Sequence, residues 1–119
     1  MAKKSTKTIE LENLLEEKLI ESGLGGYVRP FQIEGLPFVW DFAYPQIKLL
    51  IEVNGATFVK GGHSTGAGIA RDYRKLNAAT VAGYKSLLFD GNMVRDDTAS
   101  AVIAEAILAG TEPAKEAVK

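Results

Sequence analysis

The sequence lacks cysteine, and histidine and tryptophan each occur only once among its 119 residues. Without cysteine, a disulfide framework and a thiolate metal site are both excluded. No apolar run is long enough to span a membrane, and the first residues lack the apolar core of a signal peptide. We therefore expect a protein of a reducing compartment, the cytoplasm, that does not associate with membranes.

Neither sign of charge dominates the sequence. It has 14 basic and 15 acidic side chains, which give a formal net charge of −1. This balance argues against a protein that coats nucleic acid, but it leaves room for an enzyme with one local basic patch. The length and the 46% of hydrophobic residues predict one domain with one core. We place this domain at residues 8–110, between flexible segments at 1–7 and 111–119.

Apolar periodicity predicts seven elements in the order α-β-β-β-α-β-α. They are a helix at 8–22, strands at 27–33, 38–43 and 47–53, a helix at 69–82, a strand at 85–89 and a helix at 97–109. The inner row of the second helix is predicted to be Ile69, Tyr73, Leu76 and Thr80. A helical crossover to the last strand predicts an α/β fold, an α+β mixed sheet with helices packed on it.

The hairpin formed by the second and third strands carries two acidic residues. If its turn is centred between residues 46 and 47, Asp41 lies opposite Glu52 on the same face of the sheet. Cβ atoms of such partners are roughly 5 Å apart, so the two carboxylates repel each other unless a cation lies between them. Mg²⁺ prefers oxygen ligands and suits this position. The alternative is a pair of acids that simply face solvent.

Further candidates follow the hairpin. His63 lies in a glycine-rich loop, where it suits a general acid or base, or a phosphate contact; the alternative is a structural histidine. Arg71 and Lys75 are four residues apart and share a helix face, with Arg74 beside them. This row is either a surface that faces phosphates or a solvated face with internal ion pairs. Glu12, which precedes the hairpin, lies next to the apolar row of the first helix. Taken alone, it is typical of a surface residue.

Taken together, these segments resemble the PD-(D/E)xK nucleases, and in particular the very-short-patch-repair-like and DUF559-like endonuclease domains of bacteria and phages. The resemblance extends over about residues 10–108. The segments that carry it are 40–45, 50–55, 62–63, 71–72, 75–79 and 93–96. It implies a restriction-endonuclease-like core and metal-dependent hydrolysis of phosphodiester bonds.

The resemblance also implies roles for individual residues. Asp41 and Glu52 would bind the metal, the carbonyl of Val53 would complete its shell, and Glu12 would be the helix glutamate beside it. His63 corresponds to a loop histidine of this subgroup. The chain departs from the usual pattern at Asn54, where a lysine is expected among the catalytic residues. Lys75 could replace that lysine, and His63 is the other candidate.

By this resemblance the protein is a Mg²⁺-dependent endodeoxyribonuclease, with Mn²⁺ able to substitute, in the cytoplasm of a bacterium or a phage-infected host. It would nick DNA or cleave particular DNA structures, and a homodimer would allow both strands to be cut. The residues expected to contact DNA are Lys60, Arg71, Arg74 and Lys75. Two alternatives stay open: a weakly active or inactive DNA-binding or assembly module, and a metal-binding domain that acts on something other than nucleic acid.

Overall fold

A mixed three-stranded sheet lies at the centre of the molecule. The computed structural model describes residues 4–54 and 66–111. The central strand β4 (Leu49–Asn54) pairs antiparallel with β3 (Phe42–Tyr44) and parallel with β5 (Lys85–Asp90). A separate two-stranded sheet joins β1 (Phe31–Gln32) to β2 (Val39–Trp40). The predicted fold class, an α/β arrangement with a mixed sheet and packed helices, is confirmed.

The described residues also form four α-helices. They are α1 (Thr6–Glu21), α2 (Gly66–Val81), α3 (Gly91–Arg95) and α4 (Thr98–Thr111), and a 3₁₀ turn (Pro45–Ile47) closes the β3–β4 hairpin. Helix α1 begins two residues before its predicted start because the Ser5 hydroxyl accepts a hydrogen bond from the Thr8 N–H, which caps it. None of the described helices is long and apolar enough to cross a membrane.

Both faces of the central sheet are covered, so the described part of the chain has two core clusters. Leu15 and Leu19 of α1 and Ile103 of α4 pack with Ile51 on one face. On the other face, Leu50 packs with Trp40 and with Ala79 of α2. Successive strand residues point to opposite faces, so Glu52 lies on the α2 side with Leu50. This layering places an acidic side chain close to a covering helix.

Two local differences separate the structure from the predicted element order. The predicted strand at 38–43 is divided at Asp41, because the Asp41 N–H donates to a side chain instead of joining the strand ladder. The unpredicted α3 follows β5 directly, and the Asp90 carboxylate caps it by accepting from the Met93 N–H at 2.9 Å. Gly91 fits there because an added Cβ would lie 3.1 Å from Leu11 Cδ1.

The predicted inner row of α2 is wrong for Ile69, Tyr73 and Thr80, which are exposed, whereas Leu76 is half-buried. Tyr73 is 62% exposed and Ile69 is 37% exposed, whereas Ala79 is fully buried. The small side chain of Ala79 contacts the sheet, so the helix presents a different side to the core than its larger apolar residues suggest. This orientation directs Lys75 toward the sheet and leaves Tyr73 in solvent.

Leu50 provides a test of this packing. Because Leu50 is fully buried between β4 and α2, we expect Leu50→Ala to lower the free energy of unfolding by about 2–5 kcal/mol. Val81 is 87% exposed at the end of α2, so Val81→Ala should change that free energy by less than about 0.5 kcal/mol. Urea denaturation measures both variants, and equal effects would contradict the assigned core.

Candidate active site

The β3–β4 hairpin brings Asp41 and Glu52 together in the predicted register. Phe42 lies opposite Ile51 and Ala43 opposite Leu50, and one further step places Asp41 opposite Glu52. The Asp41 N–H donates to Glu52 Oε1 at 3.0 Å, and the Val53 N–H donates to Asp41 Oδ2 at 2.7 Å. The backbone of each strand therefore fixes one carboxylate oxygen of the other strand, and the second oxygen of each acid accepts from a lysine.

Helix α1 contributes a third acid to the same place. Glu12 is 5% exposed and Asp41 is 6% exposed. The Lys4 ammonium lies between them, 2.7 Å from Glu12 Oε2 and 2.6 Å from Asp41 Oδ1. On its other side, Glu12 Oε1 lies 3.5 Å from Arg29 Nη2. The structure thus places Glu12 near Asp41, with the Lys4 ammonium between them. Its implied role beside a metal stays a prediction.

Lys75 reaches the acids from α2. Its ammonium donates to Glu52 Oε2 and to the carbonyl oxygen of Val39, both at 2.6 Å. It also lies 5.2 Å from the centre of the Trp40 ring, which is within cation–π range. These contacts hold a positive charge against Glu52, as expected for a lysine that replaces the one missing at position 54. That catalytic role stays a prediction.

The surroundings shift the pKa of two of these groups. Burial and the nearby Asp41 charge raise the pKa of Glu52, although Lys75 and the Asp41 N–H oppose the rise. Burial alone would lower the pKa of Lys4, but its hydrogen bonds to Asp41 and Glu12 outweigh burial and raise it. The site therefore favours the charged form of Lys4 and, compared with a glutamate in water, the protonated form of Glu52.

A cavity of about 360 Å³ opens beside the acids. Asp41, Glu52, Lys4 and Lys75 all contribute to its wall. Its apolar part is formed by Trp40, Val53, Leu76 and Leu88. A ligand in this cavity would therefore lie against both the carboxylates and the two lysines.

The structure describes only some of the other predicted site residues. Asn54 is exposed at the end of β4 and also lines the cavity. Arg71 and Arg74 are exposed on α2, and their DNA contacts stay a prediction. Lys60 and His63 lie outside the described residues. Their predicted roles in DNA binding and proton transfer therefore stay predictions.

Sequence reasoning missed Lys4, which it placed in a flexible segment. The available signal was its position directly before the Ser5 cap, eight residues from Glu12. Lys4 precedes the cap and lies outside α1, so closeness along the chain is the only signal, and helical spacing does not set the side on which Lys4 lies. The contact with Asp41 could not be read from spacing, because 37 residues separate it from Lys4.

The side chains present suit a hard divalent cation by their chemistry. Among residues 4–54 and 66–111, no group of three or more acidic or histidine side chains is close enough together to hold a metal ion as it stands. However, Asp41 Oδ1 and Glu12 Oε2 already converge on one cation, the Lys4 ammonium. Carboxylate oxygens are the ligands that Mg²⁺ prefers, so this donor set fits Mg²⁺ or Mn²⁺.

The overall arrangement is a nuclease-like α/β fold. The chain superposes on the catalytic domain of the homing endonuclease I-Bth0305I with a TM-score of 0.67 and 24% sequence identity. The match covers 86% of this chain and 97% of that domain, and at this identity it establishes the fold alone. The sequence matches no protein-family profile and no curated protein.

Glu52→Gln tests the electrostatics of the site in the metal-free protein. The folded state holds the Glu52 proton more tightly than the unfolded chain does. Glu52 therefore favours folding below its ordinary pKa of 4.5, and this contribution is lost as pH rises through the raised folded pKa. We expect Glu52→Gln to melt at a higher temperature than wild type at about pH 7.5, and this difference should shrink below about pH 4.

Thermal melts followed by circular dichroism at both pH values give the comparison. A lower melting temperature for Glu52→Gln at the higher pH would mean that the ion pair with Lys75 outweighs the cost of burying the charge.

Proposed function

We propose that this protein is a metal-dependent DNA endonuclease that hydrolyses phosphodiester bonds. The observation that carries the proposal is the reciprocal pairing of Asp41 and Glu52. Each has one oxygen fixed by the opposite strand and the other directed at a cation. The fold shared with a homing endonuclease catalytic domain supports the same class of reaction. The sequence segments that carry the resemblance, among them 40–45 and 50–55, favour the PD-(D/E)xK group and its very-short-patch-repair-like and DUF559-like branch.

In this proposal Asp41, Glu52 and Glu12, with the carbonyl oxygen of Val53, hold Mg²⁺, or Mn²⁺ in its place. When bound, such an ion polarises a phosphoryl oxygen and lowers the pKa of an attacking water. The protein contributes carboxylates that are already oriented, because the strand backbone holds Asp41 and Glu52 before any ligand arrives. Preorganised charges are worth more in catalysis, since they need no rearrangement during the reaction.

We assign Lys75 the part of the missing motif lysine. Its ammonium lies 2.6 Å from Glu52 Oε2 and is anchored by the Val39 carbonyl. A positive charge at this position stabilises the negative charge that develops on the phosphate or the leaving oxygen. His63 would move a proton, and Asn54 would supply polar contacts at the cavity.

The surface next to Lys75 is where we propose that the DNA backbone binds. Asp72 and Lys75 of α2 line the cavity, and the exposed Arg71 is four residues, about one helical turn, before Lys75. We propose that Arg71, Arg74 and Lys60 bind phosphates and position the strand, and that the enzyme acts on cytoplasmic DNA by nicking or by cleaving particular structures. Phosphate contacts position a duplex without reading its sequence.

Asp41→Asn tests the proposal directly. The exchange keeps the side-chain shape but removes a carboxylate that faces the cation position. We expect wild type to cleave DNA only when Mg²⁺ or Mn²⁺ is present, and Asp41→Asn to have lost this cleavage. Gel assays on supercoiled plasmid and on branched, mismatched and single-stranded DNA would measure the rates and identify the preferred substrate.

Asp97→Asn is a matched control for this exchange. Asp97 pairs with Lys18, and its side chain is 74% exposed. Its backbone φ is 72°, a conformation that asparagine tolerates well. Its cleavage rate should equal that of wild type. Equal activity of Asp41→Asn and wild type would refute the assigned site. Salt-dependent DNA binding by wild type without cleavage of any substrate would favour the inactive DNA-binding module.

Lys75→Met tests the replacement of the motif lysine. We expect its cleavage rate constant to fall by about 10²–10³-fold, which is typical for the loss of one preorganised charge contact. Because Lys75 opposes the raised pKa of Glu52, the rising limb of the pH–rate profile should also move to higher pH. Single-turnover cleavage across a pH series measures both effects.

Lys85→Met removes an equal charge at the opposite end of the sheet, where exposed Lys85 pairs in register with Leu49. We expect this variant to keep the wild-type rate and pH profile. If Lys75→Met behaved in the same way, Lys75 would have no role in cleavage, and His63 would become the candidate.

A further inference from the structure

Lys4 covers the two most deeply buried acids of the site. Its side chain is 47% exposed, whereas the side chains of Glu12 and Asp41 are 6% and 7% exposed. The ammonium therefore approaches from the solvent side and ends between two carboxylates that have little other access to water. Buried carboxylates need such a partner, because an unpaired charge in this environment is costly.

The individual oxygens show what Lys4 occupies. Asp41 Oδ2 accepts the Val53 N–H, so Oδ1 is the oxygen that Asp41 directs at a cation, and Lys4 lies on it. Glu12 Oε2 also accepts from Lys4, while Oε1 faces Arg29. Glu12 Oε2, from α1, and Asp41 Oδ1, from the hairpin, therefore both accept hydrogen bonds from the Lys4 ammonium.

A divalent ion and this ammonium cannot share those oxygens. Mg²⁺ binds its oxygen ligands at about 2.0–2.1 Å, and the Lys4 nitrogen already lies 2.6–2.7 Å from the same two atoms. Placing both cations there would bring two positive charges into near contact. Occupation by one cation excludes the other.

We propose that Lys4 is a built-in competitor for the metal: its ammonium fills the cation position between Asp41 and Glu12 until a divalent ion displaces it toward solvent. This inference rests on the proposed function only in taking Asp41 and Glu12 as metal ligands. Displacement does not require unfolding of α1. Lys4 precedes the Ser5 cap, so its side chain can rotate away while Ser5 still accepts from the Thr8 N–H.

The competition predicts a gain of metal affinity when Lys4 is removed. We expect Lys4→Met to bind Mn²⁺ about ten- to a hundredfold more tightly than wild type, because the ion no longer breaks charge-assisted hydrogen bonds. Without metal, Lys4→Met should melt at a lower temperature than wild type, and saturating Mn²⁺ should remove that difference. Calorimetric Mn²⁺ titration and thermal melts, both without DNA, measure these quantities.

Lys7→Met is the matched control, because Lys7 is exposed on the first turn of α1 and carries the same charge. Its Mn²⁺ affinity should stay within about twofold of wild type, since screening by salt weakens the influence of an exposed charge. Lys4→Arg retains a cation and should keep the wild-type affinity. Lys4→Gln gives the same comparison as Lys4→Met if methionine at this position impairs folding.

The outcomes separate this inference from the proposed function. Equal or weaker Mn²⁺ binding by Lys4→Met, with wild-type binding abolished by Asp41→Asn, would overturn the competition but leave the metal site intact. An absence of Mn²⁺ binding in wild type and in every Lys4 variant would overturn the metal site and the competition together. Tighter binding confined to the Lys4→Met and Lys4→Gln variants would support both.

Discussion

The exchange of hydrogen bonds between Asp41 and the strand opposite it is the constraint on which the site depends. The Asp41 carboxylate accepts the Val53 N–H, and the Asp41 N–H donates to the Glu52 carboxylate. These bonds replace the backbone ladder at Asp41, so β2 ends at Trp40 and β3 begins at Phe42. The same hydrogen bonds therefore interrupt the strand at Asp41 and orient the two carboxylates. Polar groups that are buried must find such partners.

Charge explains how the surrounding elements are arranged. Three acids lie where α1 and the hairpin meet, and three cations compensate them: Lys4 before α1, Lys75 from α2 and Arg29 beside Glu12. Compensation is incomplete at Glu52, whose pKa is raised by burial and by Asp41. Repulsion from Asp41 is therefore one of the two causes that favour the protonated form of Glu52, and burial is the larger. Under the proposed function, this residual repulsion is part of the driving force for metal binding.

Local sequence signals could predict some of this arrangement. The hairpin register followed from the position of its turn, because cross-strand partners lie at equal distances from the turn centre. The orientation of α2 did not follow from hydrophobicity, because the buried Ala79 decides it and Tyr73 remains exposed. The Lys4–Asp41 contact joins residues far apart in sequence. Sequence periodicity cannot predict such a contact, because it forms only when α1 packs on the sheet.

The position of Lys75 shows why a motif read along the chain can mislead about a site. The sequence has Asn54 where the resembling nucleases usually carry a lysine on the strand. Yet an ammonium lies 2.6 Å from Glu52, supplied by a helix that follows in the chain. Electrostatic stabilisation depends on where a charge lies relative to the acids, and not on which element carries it. The small Ala79 contact lets α2 lie on the sheet with Lys75 turned inward. Under the proposed function, helix packing would in this way supply the charge that the strand lacks.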